Sequence, residues 1–363
     1  MVNRRLQADA IGMLLGGVLD AMFGDPRRWH PVAGFGRFAG AVERHTYADA
    51  RPAGARFTAV AVGVPVALAA LAAWLTRRRP IARTALVAGA TWAALGGTSL
   101  AREGRVMADR LDGGDLESAR AQLPNLCGRD PSALGAPELA RATVESVAEN
   151  TSDAVVGPLF WGAVAGLPGI VGYRVINTLD AMVGHRSARY ARFGTASARL
   201  DDLANLVPSR VTAALTVAAA PIVGGRPGAA LRVWLRDGGR HPSPNSGQCE
   251  AAAAGALGIR LGGRNVYGSR VEDRPHLGDG GPPGPRDVRR AAVLSLVVGA
   301  AALGLACVVR AGAASRGTAG KGSGGTVGKG SGGAAGKGSG GAAGKGSGGA
   351  AGKGGAGLIG GAV

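Results

Sequence analysis

The sequence predicts an all-α fold, that of a polytopic membrane protein with about four to six membrane segments, polar loops that form a site, and a separate C-terminal tail. Three observations support this prediction. Several apolar segments approach the roughly 20 residues that cross a bilayer. The 363 residues are 46% hydrophobic but only 4% aromatic, so Ala, Val, Leu and Gly make up the apolar part. Arginines occupy the connections between the segments, as is typical of membrane proteins.

The apolar segments follow one another along the chain. They are residues 6–23, 57–76, 85–101, 154–172, 211–224 and 291–309. The second, third and sixth carry no charge, whereas Asp or Pro residues interrupt the others. Arg77 to Arg79 lie between the second and third segments, which predicts a helical hairpin with a basic turn. Pro158 and Pro168 break the fourth segment, so it either crosses the bilayer or lies buried against protein.

Charge and cysteine content exclude several classes of protein. The formal net charge is +18, but aromatic residues are few and no nucleic-acid-binding signature occurs, so a nucleic-acid partner is not expected. Cys127, Cys249 and Cys307 are far apart, which argues against a disulfide framework or a zinc site. Asp9 and Asp20 interrupt the first segment and argue against a cleavable signal peptide. We expect a multi-pass protein of the inner (cytoplasmic) cell membrane.

The C-terminal part differs from the rest of the chain. From Lys321 an octapeptide K-G-S-G-G-x-x-G repeats as far as Lys353. A segment without large apolar side chains cannot offset the entropy of ordering, so it is expected to be disordered. The sequence therefore divides into a membrane-embedded domain, residues 1–310, and a repeat tail, residues 311–363.

Three carboxylates share one face of a predicted helix. Glu145, Glu149 and Asp153 are each four residues apart, a spacing that places side chains above one another on a helix. No Lys or Arg follows any of them by four residues, so like charges repel along the face. Two interpretations remain: a solvated acidic face at a helix start, or a face that binds a metal or another ligand. Its position among other polar blocks that border membrane segments favours a metal or substrate site.

Another polar block spans residues 20–37. Asp20 interrupts an apolar run, where an ionisable residue is costly and for that reason usually functional. A Gly-Asp-Pro turn follows, and then His30. This histidine is either a structural hydrogen-bonding residue or a proton acceptor that titrates near neutral pH.

Two blocks further along the chain carry ligand types suited to a divalent cation. Arg174, Asn177 and Asp180 lie three residues apart, and an arginine, an amide and a carboxylate can together hold Mg²⁺ and phosphate. A structural polar network is the alternative. Asp201 and Asp202 are adjacent carboxylates, which raise each other's pKa unless a cation is present. Such a pair is also common at the start of a helix.

The last block is a proline-stiffened loop before an Ala-rich helix. The loop contains His241, Ser243, Asn245 and Ser246. Ser246 and the glycine after it predict an anion site at a helix N-terminus. The sequence has no Walker A loop, G-x-S-x-G elbow or H-E-x-x-H motif, so no motif locates a nucleotide site.

In this order the blocks resemble the CobD/CbiB family of cobalamin biosynthesis. The stretches that carry the resemblance are GDP-x-x-WHPV, ESVAENTSDAVVGPLFW, YRVINTLDAMVGHR, FGTASARLDDLANLVPSR, GRHPSPNSGQCEAAAAGALGIRLGG and NVYG. They extend over about residues 14–278, and the closing membrane segment matches as well. The resemblance implies an ATP- and Mg²⁺-dependent acid–amine ligase of the adenosylcobinamide-phosphate synthase type. Such enzymes join the ring D propionate of adenosylcobyric acid to aminopropanol, free or phosphorylated, through an amide.

The residue types and the resemblance together imply roles for individual side chains. Catalytic roles are expected for Glu145, Glu149, His241 and His30. Binding of substrate or phosphate is expected for Arg174, Asn177, Arg186, Arg199, Ser243, Asn245 and Ser246. Metal ligation is expected for Asp153, Asp180, Asp201 and Asp202.

Other functions are compatible with the same features. Carboxylates in apolar segments and helices broken by Gly or Pro also occur in transporters. The alternative function is therefore a membrane transporter, or a ligand-binding protein, for a corrinoid or a small amino alcohol. No inverted repeat relates the two halves of the chain, and the polar blocks cluster in connections, which favours the enzyme. Other late corrin-pathway membrane enzymes are candidate partners.

Overall fold

The computed structural model describes residues 2–25, 30–185, 187–267 and 270–319. These residues are mostly helical, which confirms the predicted class, and they include one two-stranded antiparallel hairpin. The helices are α1 (Val2–Phe23), α2 (Pro31–Thr46), α3 (Arg51–Leu75), α4 (Pro80–Ala94), α5 (Gly97–Asp112), α6 (Leu116–Gln122), α7 (Ala136–Thr151), α8 (Gly157–Ala165), α9 (Leu167–Leu179), α10 (Thr195–Ala204), α11 (Leu206–Ala219), α12 (Pro227–Asp237), α13 (Ser246–Leu257) and α14 (Pro285–Ala319). The strands are β1 (Leu261–Tyr267) and β2 (Arg270–Leu277). The repeat tail from residue 320 onward lies outside the described residues.

Four helices in the described part of the chain are long and apolar enough to cross a membrane. They cover residues 4–23, 51–75, 206–223 and 285–313. The chain is therefore a membrane protein, and the number of candidate spans lies at the lower end of the predicted range. The fourth span, within α14, extends past the boundary predicted at residue 310.

The prediction of one continuous apolar segment over residues 85–101 is wrong. Helix α4 ends at Ala94 and α5 begins at Gly97. Asp20 explains the break, because its Oδ2 accepts hydrogen bonds from the backbone N–H of Thr98 at 3.2 Å and from the Thr98 hydroxyl at 3.1 Å. The carboxylate thus satisfies a donor in the first turn of α5, which would otherwise lack a partner.

The fourth apolar segment, residues 154–172, is a broken helix. Its chain leaves α7 through a π-helical turn, Ser152–Val156, continues as α8, reverses at Gly166 with φ of 65°, and returns as α9. Leu159 and Ile170, on the two arms, are both buried. The structure therefore supports burial against protein over a straight crossing, as irregular backbone at membrane depth requires.

Helix α1 packs closely between α4 and α14. Gly12 and Gly16 are four residues apart and face α4, where an added Cβ on Gly12 would lie 2.7 Å from the Cβ of Val87. An added Cβ on Gly16 would lie 2.5 Å from the Cβ of Thr91. Small residues at this spacing allow two membrane helices to approach closely, because association in lipid depends on tight packing.

A buried ion cluster joins the same three helices. Asp9 of α1 is fully buried and accepts two hydrogen bonds from Arg83 of α4, at 2.6 and 2.9 Å. It accepts two more from Arg310 of α14, at 3.2 and 2.7 Å. A carboxylate buried beside two arginines and hydrogen-bonded on both oxygens is compatible with a membrane interior. Asp9 is therefore a structural residue that ties α1 to α4 and to α14.

Candidate functional site: an acidic cavity between four helices and a loop

A small polar cavity lies where α7, α9, α10 and α11 meet the loop before α13. Its volume is about 10 Å³, which is about the space of one water molecule or ion. Its lining residues are Glu149, Ser152, Asp153, Asp180, Asp201, Asn205, Ser209, Ser243, Asn245, Ser246 and Cys249. Seven of the predicted site residues, drawn from four separate blocks, therefore come together around one space.

The two π-helical turns supply the cavity with carboxylates. The first, Ser152–Val156, carries Asp153, and the second, Asp180–Gly184, begins with Asp180. A π-turn contains one residue more than the α-helical repeat and changes the direction of the side chains around it, and such turns are frequent at functional sites. The i, i+4 spacing by itself would place Asp153 on the face of Glu145, but the π-turn follows Glu149 and separates the two.

Asn177 connects the acidic side chains across the cavity. Its Nδ2 lies 3.4 Å from Asp153 Oδ2 and 3.4 Å from Asp201 Oδ1. Asn205 Nδ2 donates to the same Asp201 oxygen at 3.1 Å, as expected for residues four apart on a helix. Tyr173 in turn donates its hydroxyl to Asn205 Oδ1 at 2.7 Å. The amides hold Asp201 in place on the cavity wall.

The loop before α13 closes the cavity from the opposite side. Ser243 Oγ accepts hydrogen bonds from the backbone N–H groups of Asn245 at 3.4 Å and Ser246 at 3.2 Å. Asn245 Nδ2 donates to the backbone oxygen of Asp202 at 2.8 Å, and Ser246 Oγ donates to Glu149 Oε1 at 2.7 Å. The loop is thereby tied to α10 and α7. Asp202 contributes its main chain to this contact, and its side chain is not among those that line the cavity.

Glu145 belongs to a separate ion cluster. It is buried, forms an ion pair with Arg129, lies 3.8 Å from Arg141 Nη1, and accepts a 2.7 Å hydrogen bond from the backbone N–H of Gly262 in β1. The interpretation of Glu145 as part of an unneutralised face is therefore wrong. Burial raises the pKa of Glu145, but the two arginines and the Gly262 N–H outweigh burial and hold that pKa below its usual value.

Glu250 is a buried carboxyl beside this cluster. Burial and the neighbouring charge of Glu145 raise the pKa of Glu250 well above its usual value, which favours its neutral form. His241 Nε2 lies 3.8 Å from Glu250 Oε1, and His241 Nδ1 accepts a 3.0 Å hydrogen bond from the backbone N–H of Ser243. Burial, together with repulsion from Arg274, lowers the pKa of His241 to about 4. His241 is therefore a neutral imidazole with its proton on Nε2.

The polar block of residues 20–37 lies beside the block that contains Arg174 and Asp180. Arg174 and His30 are both close enough to Asp25 to interact with its charge, and Arg174 also interacts with Asp153 at the cavity. Burial raises the pKa of Asp25, and a hydrogen bond with Ser99, followed by the charges of His30 and Arg174, opposes that shift. Burial lowers the pKa of His30, whose Nδ1 accepts a 3.1 Å hydrogen bond from the backbone N–H of Val32 at the start of α2. His30 thus has the structural hydrogen-bonding role and also lies near Arg174.

Some predicted residues are not brought to the cavity, and others were missed. Arg199 is exposed on α10, and Arg186 lies outside the described residues. The sequence did not predict Arg129 and Glu250 as site residues. No motif or spacing indicates either of them, because only the tertiary fold places them near Glu145. The sequence could have indicated the ion pair between Arg141 and Glu145, because Arg141 precedes Glu145 by four residues on the predicted helix.

The chemistry of the lining fits a magnesium ion. Carboxylate, hydroxyl and amide oxygens are the hard ligands that Mg²⁺ prefers, and Mg²⁺ is usually bound through one or two carboxylates with water or phosphate completing its shell. Among the described residues no three His, Cys, Asp or Glu side chains converge closely enough to form a complete metal site. The arrangement therefore suits an ion that takes its remaining ligands from a substrate.

Comparisons with known proteins confirm the family that the sequence resembles. The profile of the CobD/Cbib protein family matches residues 13–295. Cobalamin biosynthesis protein CobD of Mycobacterium tuberculosis is 56% identical over 307 residues, covering 84% of this chain and 97% of the relative. The proteins of the same name from Geobacter metallireducens and Rhodobacter capsulatus are 44% and 43% identical, over 72% and 78% of this chain and 84% and 90% of those relatives. No solved structure matches the chain. The chain belongs to the CobD/CbiB family.

Proposed function

We propose that this protein is a membrane enzyme of cobalamin biosynthesis that joins the ring D propionate of adenosylcobyric acid to aminopropanol or its phosphate, at the expense of ATP. Membership of the CobD/CbiB family supports the pathway and corrin-type substrates. The observation that carries the reaction class is the acidic cavity with Arg174 at its edge. Several carboxylates beside a half-buried guanidinium form the kind of site that holds a divalent cation and an anionic substrate together.

The chemistry explains why such a site is needed. A carboxylate does not form an amide with an amine, because its oxygen is a poor leaving group. Transfer of the terminal phosphoryl group of ATP to a propionate oxygen gives a mixed anhydride and ADP. The amine nitrogen then attacks the carbonyl carbon, the C–N bond forms, the C–O bond to phosphate breaks, and inorganic phosphate leaves. One proton leaves the nitrogen in this step and requires an acceptor.

The lining carboxylates would hold the metal in this scheme. Asp153, Asp180 and Asp201 line the cavity, and one or two of them would bind Mg²⁺, with water or phosphate as its remaining ligands. The bound ion would neutralise the charge of the phosphates. Arg174 would pair with the propionate or a phosphate oxygen, because its planar guanidinium can donate two parallel hydrogen bonds. Fixing the two substrates side by side supplies much of the rate enhancement of such a ligation.

Glu149 is the residue to which we assign the proton of the amine. It lines the cavity, and the 2.7 Å hydrogen bond from Ser246 fixes its orientation. His241 is a weaker candidate than the sequence predicts, because its Nδ1 is engaged by the Ser243 backbone, its Nε2 carries a proton, and its pKa is about 4. Its geometry favours a positioning role, which keeps the Ser243–Ser246 loop against the cavity.

The proposed reaction can be tested in membranes that contain the protein. Membranes are supplied with adenosylcobyric acid, ATP, Mg²⁺ and either aminopropanol or its phosphate, and the amide is detected by mass spectrometry. We expect ATP-dependent product from one of the two amines. Movement of labelled corrinoid into proteoliposomes without any product would overturn the enzyme and favour the transporter, to which the broken helix at Gly166 would also be suited. Corrinoid binding with neither product nor transport would favour the ligand-binding protein instead.

Two neighbouring aspartates provide a matched pair of variants that tests whether Asp201 binds the metal. Asp201 lines the cavity and its neighbour Asp202 does not. Asp201→Asn should raise the Mg²⁺ concentration needed for half-maximal rate by about 10-fold or more, the usual cost of disturbing a metal ligand. Asp202→Asn keeps the backbone oxygen that Asn245 contacts and should stay near the wild-type value. Equal Mg²⁺ dependence in the two variants would show that Asp201 is not a ligand.

A further inference from the structure

A second cavity, much larger and almost entirely apolar, lies next to the acidic one. Its volume is about 720 Å³, and α2, α3, α4 and α9 surround it. Its walls are formed by apolar side chains, which include Phe35, Phe38, Leu68, Leu86 and Val171. The predicted hairpin of α3 and α4 is therefore splayed, with the cavity between its arms. A space of this size is within the range of ligand-binding cavities.

Arg174 is the only charged residue among the described residues that line this cavity. Its Nε is buried and has no hydrogen-bond partner in the described part of the chain, and its Nη1 reaches Asn177 Oδ1 only at 3.5 Å. A guanidinium carries five N–H donors. Buried donors without acceptors are costly, so this side chain indicates an anionic group at the end of the apolar cavity.

The position of the cavity relative to the membrane indicates its occupant. Arg174 lies close to Asp25, which follows the candidate span of α1 that ends at Phe23. The guanidinium is therefore at the level of one membrane surface. The cavity extends from there along α4 from Ala94 to Ala85, about 14 Å at the helical rise of 1.5 Å per residue. This depth is close to half of a hydrocarbon core of about 30 Å, which is the thickness of one leaflet.

The cavity also faces the lipid. Val64 and Leu68, in the middle of the candidate span of α3, line it and are 43% and 61% exposed. A polar molecule would leave its hydrogen-bonding groups unpaired against these walls, whereas an acyl chain would bury apolar surface.

We propose that this cavity binds an acyl chain of an anionic phospholipid from the adjoining leaflet, with its phosphate at Arg174. The lipid lies along α4 with its chain toward Ala85 and its head group toward Asp25 and the acidic cavity. The lipid phosphate and the anionic substrate of the proposed reaction would use the same guanidinium, so they would exclude each other at Arg174. The test of the lipid site below requires no turnover. Basic pockets between membrane helices are known binding places for anionic head groups.

The test uses two glycine substitutions of the same kind. Gly89 lines the cavity on α4, whereas Gly63 on α3 does not, and an added Cβ at either position meets open space. The full-length protein is purified from mixed vesicles of phosphatidylglycerol and phosphatidylcholine in mild detergent, and the retained lipid is measured by native mass spectrometry. We expect the wild type and Gly63→Leu to retain phosphatidylglycerol over phosphatidylcholine by about fivefold, the effect of one cation near a membrane surface.

Gly89→Leu should lose the retained lipid, and Arg174→Gln should retain lipid without the preference for phosphatidylglycerol. Equal lipid retention by Gly89→Leu and Gly63→Leu would overturn the proposal, as would a wild type with no head-group preference. If Gly89→Leu fails to fold, Phe38→Trp provides the second test. Its fluorescence should be quenched more by brominated phosphatidylglycerol than by brominated phosphatidylcholine, and a tryptophan at the 86% exposed Ile81 should show no such difference. Equal quenching at Phe38→Trp by the two lipids would also overturn the proposal.

Discussion

Ser246 donates a 2.7 Å hydrogen bond from its side-chain hydroxyl to Glu149 Oε1. The contact joins the first residue of α13 to α7, and the same hydroxyl lies 3.1 Å from Ser243 Oγ. One contact therefore fixes both the loop and the carboxylate to which the proton transfer is assigned.

Replacing Ser246 with alanine should slow amide formation. A hydrogen bond to a charged group contributes about 1.5–3 kcal/mol, so kcat/KM should fall by roughly 10- to 100-fold. The measurement is the rate of corrinoid amide formation at saturating ATP and Mg²⁺. Ser132→Ala is the control, because Ser132 is exposed in the loop before α7 and should keep the wild-type rate. A Ser246→Ala enzyme as fast as the control would show that Glu149 does not need this contact.

Glu145 and Glu250 are both buried, but they should respond differently to the same substitution. Glu145→Gln removes the anion between Arg129 and Arg141. Breaking a buried ion pair costs about 3–5 kcal/mol in the free energy of unfolding, so Tm should fall by roughly 6–15 °C. Burial and the charge of Glu145 raise the pKa of Glu250 and so favour its neutral form; Glu250→Gln should therefore change Tm by no more than about 2 °C. Thermal unfolding in detergent at pH 7 provides the comparison. Equal losses of Tm would mean that the charge is shared between the two carboxyls.

The buried carboxylate of α1 should be important for stability and not for chemistry. Asp9→Asn leaves Arg83 and Arg310 facing each other without an anion, and we expect a loss of about 3–5 kcal/mol in the free energy of unfolding. Asp109→Asn is the matched control, because Asp109 is 68% exposed in its pair with Arg289 and should cost less than about 1 kcal/mol. Urea unfolding of the two variants in the same micelles measures the difference. A similar midpoint for both would argue against the structural role of Asp9.

The low pKa of Asp237 predicts that the protein loses stability at low pH. Arg236 is the main cause that lowers the pKa of Asp237 to about 2, and Gly278 N–H and Arg240 contribute. A carboxyl whose pKa is lower in the folded state stabilises the fold above about pH 4 and loses this effect as the pH falls toward 2. Asp237→Asn should therefore lower the free energy of unfolding by roughly 1–2 kcal/mol at pH 6, and the difference from wild type should vanish toward pH 2. Asp279→Asn is the control: Asp279 is an exposed partner of Arg236, and its replacement should have little effect on the free energy of unfolding. If Asp237→Asn lowered the free energy of unfolding by the same amount at every pH in this range, the stabilisation would not come from the charge of Asp237.

Much of the fold was predictable because membrane insertion depends on long apolar segments, which are visible in the chain. The helical class and the spans near residues 6–23, 57–76 and 291–309 follow from segment length and charge. The division of residues 85–101 into α4 and α5 was not predictable, because it depends on Asp20, a residue more than 70 positions away in the sequence, as a hydrogen-bond acceptor.

The site was predictable as a set of residues but not as an arrangement. Asp201 and Asn205 share a helix face, as their spacing of four indicates, and their side chains do form a hydrogen bond. Glu145 and Asp153 have the same kind of regular spacing but belong to different clusters, since Asp153 lies within the π-helical turn that follows α7. Helix spacing predicts contacts only where the helix is regular. No residue type in the stretch 152–156 indicates that the turn there is π-helical.

The ion cluster at Asp9 also has a consequence for biogenesis. Its two arginine partners are 74 and 301 residues away along the chain. A ribosome that delivers helices in order from the N-terminus therefore presents α1 and α4 to the bilayer long before α14 exists. The early helices meet with one cation beside Asp9, and the second arrives only with the last candidate span, so completion of the cluster marks the arrival of the final helix in the assembled protein.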